Sequence, residues 1–566
     1  MLVYREDRRP VDTVDALRAL AARRVNMRRG SADDALSVLI AAGELESAIC
    51  DAIFEGRDGV DERASTLRDM SIDAARGYLD ASAGRSSEPP SSTKIDVLRS
   101  MPLPRQIEMR LSEGYAYYAL FPETYAASAR RFRDDLEPRR VCVIGIRSIG
   151  TSLGAVAAAA LRPMTDVVSY TVRPRGHPFD RRIVLDASLR GAWQEELQHG
   201  AWFAIVDEGP GLSGSSFASV ICALRSLDVP SQRIVLFPSW DPAPGQLRSD
   251  TARDAWRQHR RYVTSASDCG ITPEKLFGVE HPTIDWSSGR WRAHVGIGEG
   301  RWPAVQPQHE RWKTWLPADS RVLKFVGLGD YGQAAFERAQ RLSSATTMTQ
   351  TVAQIRYGFA DLQFVDGKIA RAPFSEDDAQ AVGEYVGVRA LEFRSRSPAR
   401  ASSMIAMIRT NVRELLGVDV LASASAAMRV QRVFEEAPAS DIDGRMQAYE
   451  WLRTTAGLLK VDALDHGHDH FFPGPQNPAW DLAAASLELG LSDAGTRRMM
   501  HAYRRISGDT AAEARVPAYQ LAYAAFRAGY ASMAAETLAG TPDAGRFGRV
   551  LARYREHLQR LIPSVL

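Results

Sequence analysis

An apolar run ends at two acidic residues, Asp207 and Glu208, and passes through Gly209, Pro210, Gly211 and Leu212 to Ser213, Gly214, Ser215 and Ser216. Carboxylates can accept hydrogen bonds from sugar hydroxyls or hold a hard cation. A Gly/Ser turn that opens into a helix offers backbone N–H groups and hydroxyls to a phosphate. Side by side, the two suit a sugar phosphate. A second turn of the same form runs from Gly145 to Thr151 and carries Arg147, whose guanidinium can grip phosphate with two donors. A third stretch, Arg173 to Arg182, is basic and broken by Pro and Gly, with Arg173, Arg175, His177 and Arg181. In the second half, Gly327, Gly329 and Gly332 form Gly-x-Gly-x-x-Gly after an apolar run, and Asp462 ends another such run. Asp465, His466, His468, Asp469 and His470 make a dense imidazole and carboxylate cluster, suited to a divalent transition metal or to a solvated loop.

These residues need elements to place them. Trp202 to Val206 has strand length, and Phe217 to Leu227 reads as a helix with Val220, Ile221, Leu224 and Leu227 on one face. Val141 to Ile146 is a continuous apolar run, as expected of a buried parallel strand, and an Ala-rich helix follows to Leu161. Val167 to Val172, Arg182 to Leu185 and Arg233 to Pro238 supply further strands. The alternation argues for an α/β domain with a parallel sheet over 95–290. Residues 1–90 read as a helical N-terminal domain, ending in a linker-like Gly/Ser/Pro stretch. Aromatic-rich Gly114 to Tyr125 reads as a packed edge. Residues 291–320, rich in Trp and Pro, read as a linker. Residues 321–566 form the last domain, α+β at its start and helical after Asp481.

The acidic pair with Ser213–Ser216 resembles the phosphoribosyl-pyrophosphate (PRPP) signature of the type I phosphoribosyltransferases, although the loop is one residue longer. The resemblance implies that Asp207 and Glu208 hold the ribose hydroxyls and Mg²⁺, and that Ser213, Gly214, Ser215 and Ser216 bind the 5′-phosphate. Arg147, Gly150 and Thr151 would take the pyrophosphate, and Arg173 and Arg175 would belong to a flap that closes over it. Farther on, Gly457 to Asp462 and Gly474 to Ala483 resemble the C-terminal lobe of aminoglycoside-phosphotransferase-like kinases. That likeness makes Asp462 a magnesium ligand, Asp481 the brace of the catalytic loop, and Gly327, Gly329 and Gly332 the nucleotide loop, with ATP as a candidate cofactor. The usual His-Gly-Asp-x-x-x-x-Asn segment is missing: Glu450 stands in for the Asn, and Asp443 is a poor base. Lys324 and Lys368 are the lysines placed to steady phosphates. The function expected is phosphoribosyl transfer from PRPP to an acceptor, with a kinase-like domain that binds or modifies acceptor or product. Phosphotransfer by the C-terminal domain and non-catalytic nucleotide sensing or scaffolding stand as alternatives.

The chain of 566 residues carries 45% hydrophobic and 25% charged residues and a net charge of +2. Those values fit a soluble multidomain protein, with no general pull toward nucleic acid or membrane. The four cysteines are far apart, so a disulfide framework is not expected, and Cys142 and Cys222 read as core. No apolar signal core or membrane-length run is seen. A cytoplasmic location is therefore expected, with phosphorylated small molecules as partners and self-association or assembly with other enzymes left open.

Overall fold

The strand β1 (Arg140–Ile146) has no polar residue between Val141 and Ile146, and all of these are buried. Such a strand needs cover on both faces. It pairs in parallel with β2 (Asp166–Val172) on one side and β3 (Trp202–Val206) on the other. β4 (Ile234–Phe237) and β5 (Arg260–Arg261) extend the parallel sheet, giving the order β2-β1-β3-β4-β5. The chain leaves β1 toward β2, then returns to the other side for β3. The sheet order reverses there, and loops after the two central strands open beside each other, the place where α/β sheets bind ligands. The computed structural model describes residues 1–5, 8–28, 30–85, 92–395, 401–436, 438–464 and 466–565.

Two compact units result. The parallel-sheet unit comprises Asp7–Val279 with Gly327–Tyr331. Its N-terminal helices, Ala32–Ile53 and Glu62–Ser82, pack on the fully buried helix Gly150–Leu161. The region expected as a separate domain at 1–90 is thus part of this unit, because the Ala-rich helix is apolar all round and needs a second cover. Phe203, Ile205, Phe217, Ile221 and Trp256 fill the core on the other sheet face. The strand expected at Arg182–Leu185 is replaced by a hairpin, Arg175–His177 with Asp180–Arg182. Cys222 lies on the outer side of helix Ser215–Arg225 and is exposed, unlike Cys142.

The second unit comprises Met1–Glu6, Glu280–Val326 and Gly332–Leu566. Its antiparallel sheet contains β6 (Ile284–Asp285), β7 (Lys313–Leu316), β8 (Arg321–Phe325), β9 (Val352–Arg356) and β10 (Phe359–Gln363), ordered β6-β7-β8-β10-β9. Helix Asp330–Ala345 joins β8 to β9. The expected linker 291–320 therefore holds a strand of this sheet, and its tryptophans pack: Trp315 lies 5.0 Å from Trp286 between ring centroids. A small sheet, β11 (Lys368–Ile369), β12 (Trp451–Thr454) and β13 (Gly457–Lys460), precedes a helical layer. Helices Glu376–Glu392, Ala479–Glu488 and Ala512–Thr537 supply its core, with Tyr385, Trp480, Tyr519 and Tyr523 buried. Among the described residues no helix is long and apolar enough to cross a membrane.

Candidate functional site

In the parallel-sheet unit the loops after β1 and β3 do meet. A Cβ at Gly150 would lie 2.6 Å from the Val206 carbonyl oxygen and 3.3 Å from Asp207 Oδ1, so only glycine lets the turn approach this carboxylate. Asp207 Oδ1 accepts the Glu208 N–H at 2.9 Å. Burial pushes the Asp207 carboxyl up to about 7, against that hydrogen bond and the charges of Arg181 and Arg173. Burial, aided by Glu113 and Asp207, drives Glu208 well above the ordinary range. Its Oε2 lies 3.1 Å from where a Gly114 Cβ would stand. Burial thus disfavours the anionic form of Glu208 beside Gly114. Tyr115 and Tyr125 of the aromatic stretch are buried, as packing required, and the Tyr125 hydroxyl donates to the Asp207 carbonyl at 2.9 Å.

Gly214, at φ +66°, caps helix Ser215–Arg225 without a side-chain hydrogen bond. Ser213 Oγ accepts the Ser215 N–H at 3.3 Å. The hairpin supplies the other partners: Ser215 Oγ donates to the Pro178 carbonyl at 2.7 Å, and Arg181 donates to Ser216 Oγ at 3.0 Å. The hydroxyl turn and the basic hairpin therefore come together, but the hydroxyls of Ser213, Ser215 and Ser216 are all engaged.

The arginines depart from expectation. The Arg147 side chain is fully buried and paired with Asp51, at 2.9 Å, and with Asp58. Arg173 Nε donates to Asp51 at 3.0 Å, and Arg175 pairs with Asp58 at 2.9 Å. Three guanidiniums thus share two carboxylates, Asp51 in the last turn of helix Ala32–Ile53 and Asp58 just beyond it, an internal network in place of the expected pyrophosphate grip. Thr151 is fully buried too.

The second unit holds a cavity of about 390 Å³. Its floor is built where β7, β8 and the turn after β13 converge. Asp462, at φ +59°, is paired with Lys313 at 2.7 Å and with Lys324. Burial opposes its ionisation, but the two lysines and then His466 outweigh it and hold the carboxyl well below its ordinary range. Glu450, Asp462 and His466 bring one ligand atom each to within 4.8 Å of one another. His466 Nδ1, 3.8 Å from Asp443, is buried without a hydrogen-bond partner among the described residues, and carboxylate with imidazole is a donor set that fits a divalent cation. Lys460 is fully buried, 3.4 Å from Asp443 and 3.7 Å from Glu450.

Asp481 opens helix Ala479–Glu488 and turns back on the 441–450 loop. Its carboxylate accepts the backbone N–H of Asp443 at 2.8 Å and of Gly444 at 2.9 Å, which is the brace expected of it. Asp443 is itself buried, accepts the Tyr385 hydroxyl at 2.5 Å and is held below the usual range, burial being outweighed by Lys460 and His466.

Of the two lysines offered by the sequence, Lys324 lines the cavity and the exposed Lys368 does not. Lys313, in the supposed linker, was missed; its alternation with buried Thr314 and Leu316 was the available signal. Gly327, Gly329 and Gly332 do not line the cavity. The Leu328 N–H donates to the Tyr115 carbonyl at 2.9 Å, and a Cβ at Gly329 would meet Ser37 Oγ at 3.1 Å, so this loop serves packing in the parallel-sheet unit. The 465–470 cluster disperses: His466 faces Asp462 at 3.4 Å, His468 pairs with Asp441 at 2.9 Å, and Asp469 with Arg445 at 3.2 Å. Asp465 lies outside the described residues.

No protein-family model and no curated protein sequence matches the chain. Among solved structures it is similar to a choline/ethanolamine kinase family protein from Mesorhizobium loti, at 15% identity over 53% of this chain and 97% of that one, with a TM-score of 0.36. It is also similar to the choline kinase LicA from Streptococcus pneumoniae (11% identity, 44% and 89% covered, TM-score 0.30). A thermostable mutant of the aminoglycoside phosphotransferase APH(4)-Ia gives 12% identity, 51% and 97% coverage and a TM-score of 0.32. These scores are too low to carry weight, and the functional reading rests on the side chains described above.

Proposed function

We propose that the second unit is a nucleotide-dependent phosphotransferase, using ATP with a divalent cation such as Mg²⁺. The observation that carries this reading is the meeting of Lys324 on β8 with Asp462 in the turn after β13, at the floor of a cavity whose 443–444 turn is braced by Asp481. Phosphoryl transfer asks little covalent chemistry of a protein; it needs positioned charge around the phosphates. Lys324 and Lys313 supply the positive charge for the triphosphate. Glu450, Asp462 and His466 would hold the cation, which when bound neutralises phosphate charge. As ligand and nucleotide enter, the lysines exchange the Asp462 carboxylate for phosphate oxygens. Asp443, with Tyr385 and Lys460 on its carboxylate, fixes the loop and takes no proton from an acceptor. Release of ADP from ATP and Mg²⁺ should fall to background in Asp462→Ala and persist in Asp207→Asn. Undiminished turnover in the Asp462 variant would defeat the reading.

A second reading, phosphoribosyl transfer from PRPP by the parallel-sheet unit, is supported by one observation. The Gly145–Thr151 and Asp207–Ser216 loops lie together where the sheet order reverses, with Gly150 against Asp207. Calorimetric titration with PRPP and Mg²⁺ tests it: heat that disappears in Asp207→Asn supports it, and no heat in the native chain rejects it.

A further inference from the structure

The cations that line the cavity of the second unit can be paired off one by one. Lys313 and Lys324 share Asp462, and Arg445 holds Asp469 at 3.2 Å. Arg527, on helix Ala512–Thr537, also lines the cavity, yet its guanidinium makes no hydrogen bond or ion pair among the described residues, and its Nε is buried without a partner. It rests on ring faces instead, 5.6 Å from the Tyr530 centroid and 5.9 Å from that of Tyr554. The nearby carboxylate, Glu488, is already taken by Arg553 at 2.6 Å, by Tyr523 at 2.6 Å and by Tyr554. A half-buried guanidinium with a partnerless Nε is costly unless something completes it. Stacking on tyrosines fixes the plane of the fork and leaves its N–H edge to a planar or tetrahedral oxyanion.

We propose that the helical end of this cavity binds a small molecule through a carboxylate or phosphate group held by Arg527, and that this molecule is the phosphoryl acceptor. The word acceptor rests on the phosphotransferase reading; the oxyanion site does not. The Tyr530 face and Phe547 make the adjoining wall apolar, so the acceptor carries its anionic group on a compact body with apolar surface. Its hydroxyl would then point back toward Asp462.

The test uses the full chain with inorganic phosphate and succinate as separate probes, in the native protein and in Arg527→Met. Calorimetry should show the affinity for at least one probe falling by roughly tenfold or more in the variant, the size expected for a charge-assisted pair. A phosphate-only effect identifies a phosphorylated acceptor, and a succinate-only effect a carboxylic acid. In the native chain the same probe should suppress labelling of Arg527 by phenylglyoxal, mapped by mass spectrometry; this arm decides if the variant does not fold. Affinities unchanged for both probes, or equal labelling with and without them, overturn the proposal. ADP titration separates the two readings. Lost nucleotide binding with Arg527-dependent anion binding refutes phosphotransfer alone, and the reverse refutes the oxyanion site alone.

Discussion

Asp207 and Asp462 each follow a strand, and each lies in a partly buried turn beside a second acidic residue that could join it at a cation. Their surroundings set them in opposite states. Asp207 has a backbone N–H and two arginines at a distance, so burial wins and its carboxyl rises to about 7. Asp462 has two lysine ammoniums in direct contact, and burial loses. Desolvation is common to both sites; the placement of positive charge decides the outcome. In the parallel-sheet unit that charge is spent elsewhere, because Arg147, Arg173 and Arg175 are turned onto Asp51 and Asp58. The second unit therefore holds its carboxylate ionised, whereas burial in the first moves the ionisation of Asp207 up to about 7.

The contrast can be broken most forcefully at Asp462. Asp462→Ala should cut ATP turnover by about two orders of magnitude or more. It should also cost roughly 3–5 kcal/mol by chemical denaturation, because Lys313 and Lys324 lose their shared carboxylate. Arg147→Met sharpens the other side. Stripped of its buried cation, the Asp51–Asp58 network should lose about 3 kcal/mol. A stability within experimental error of the native chain would mean that Arg147 is held in reserve for a ligand after all. Asp481→Asn removes one acceptor from the two N–H groups of Asp443 and Gly444, and should destabilise by about 1–3 kcal/mol, again read by denaturation.

The last effect concerns pH. A carboxyl raised from about 4 unfolded to about 7 folded gives a stability contribution that is full below about pH 4 and lost as pH rises through 7. Asp207→Asn, which imitates the neutral acid, should therefore melt higher than the native chain at pH 8, by roughly 2–4 °C for each kcal/mol of the burial penalty it removes, and level with it near pH 4. Equal melting temperatures at pH 8 would show that Asp207 is already ionised and paired.

Local pattern made much of this legible. The strand, loop and helix around Asp207 follow from an apolar run, three glycines and a one-faced helix, and the parallel pairing of β1 and β3 from their unbroken apolar character. Asp481 was placed correctly because its role is local to a helix start and a single loop. What escaped depends on residues remote in sequence. The loss of Arg147 to the interior requires Asp51 and Asp58, about ninety positions away, and no spacing rule links them. Gly327 and Gly329 read as a nucleotide loop, but tertiary packing against Ser37 and the Tyr115 carbonyl claims them. Lys313 was hidden in a stretch whose Trp and Pro content suggested a linker, although the tryptophans are there to pack the sheet. Cys222 shows the same limit, since a helix in an apolar run still has an outer face.

Calorimetric titration of ADP with Mg²⁺ into the native chain, Asp462→Asn and Asp207→Asn tests the central assignment most directly. Binding that is lost in Asp462→Asn and unchanged in Asp207→Asn is the predicted result. Binding that survives loss of the Asp462 charge, or that depends on Asp207 instead, would contradict the placement of the nucleotide between Lys324 and the turn after β13.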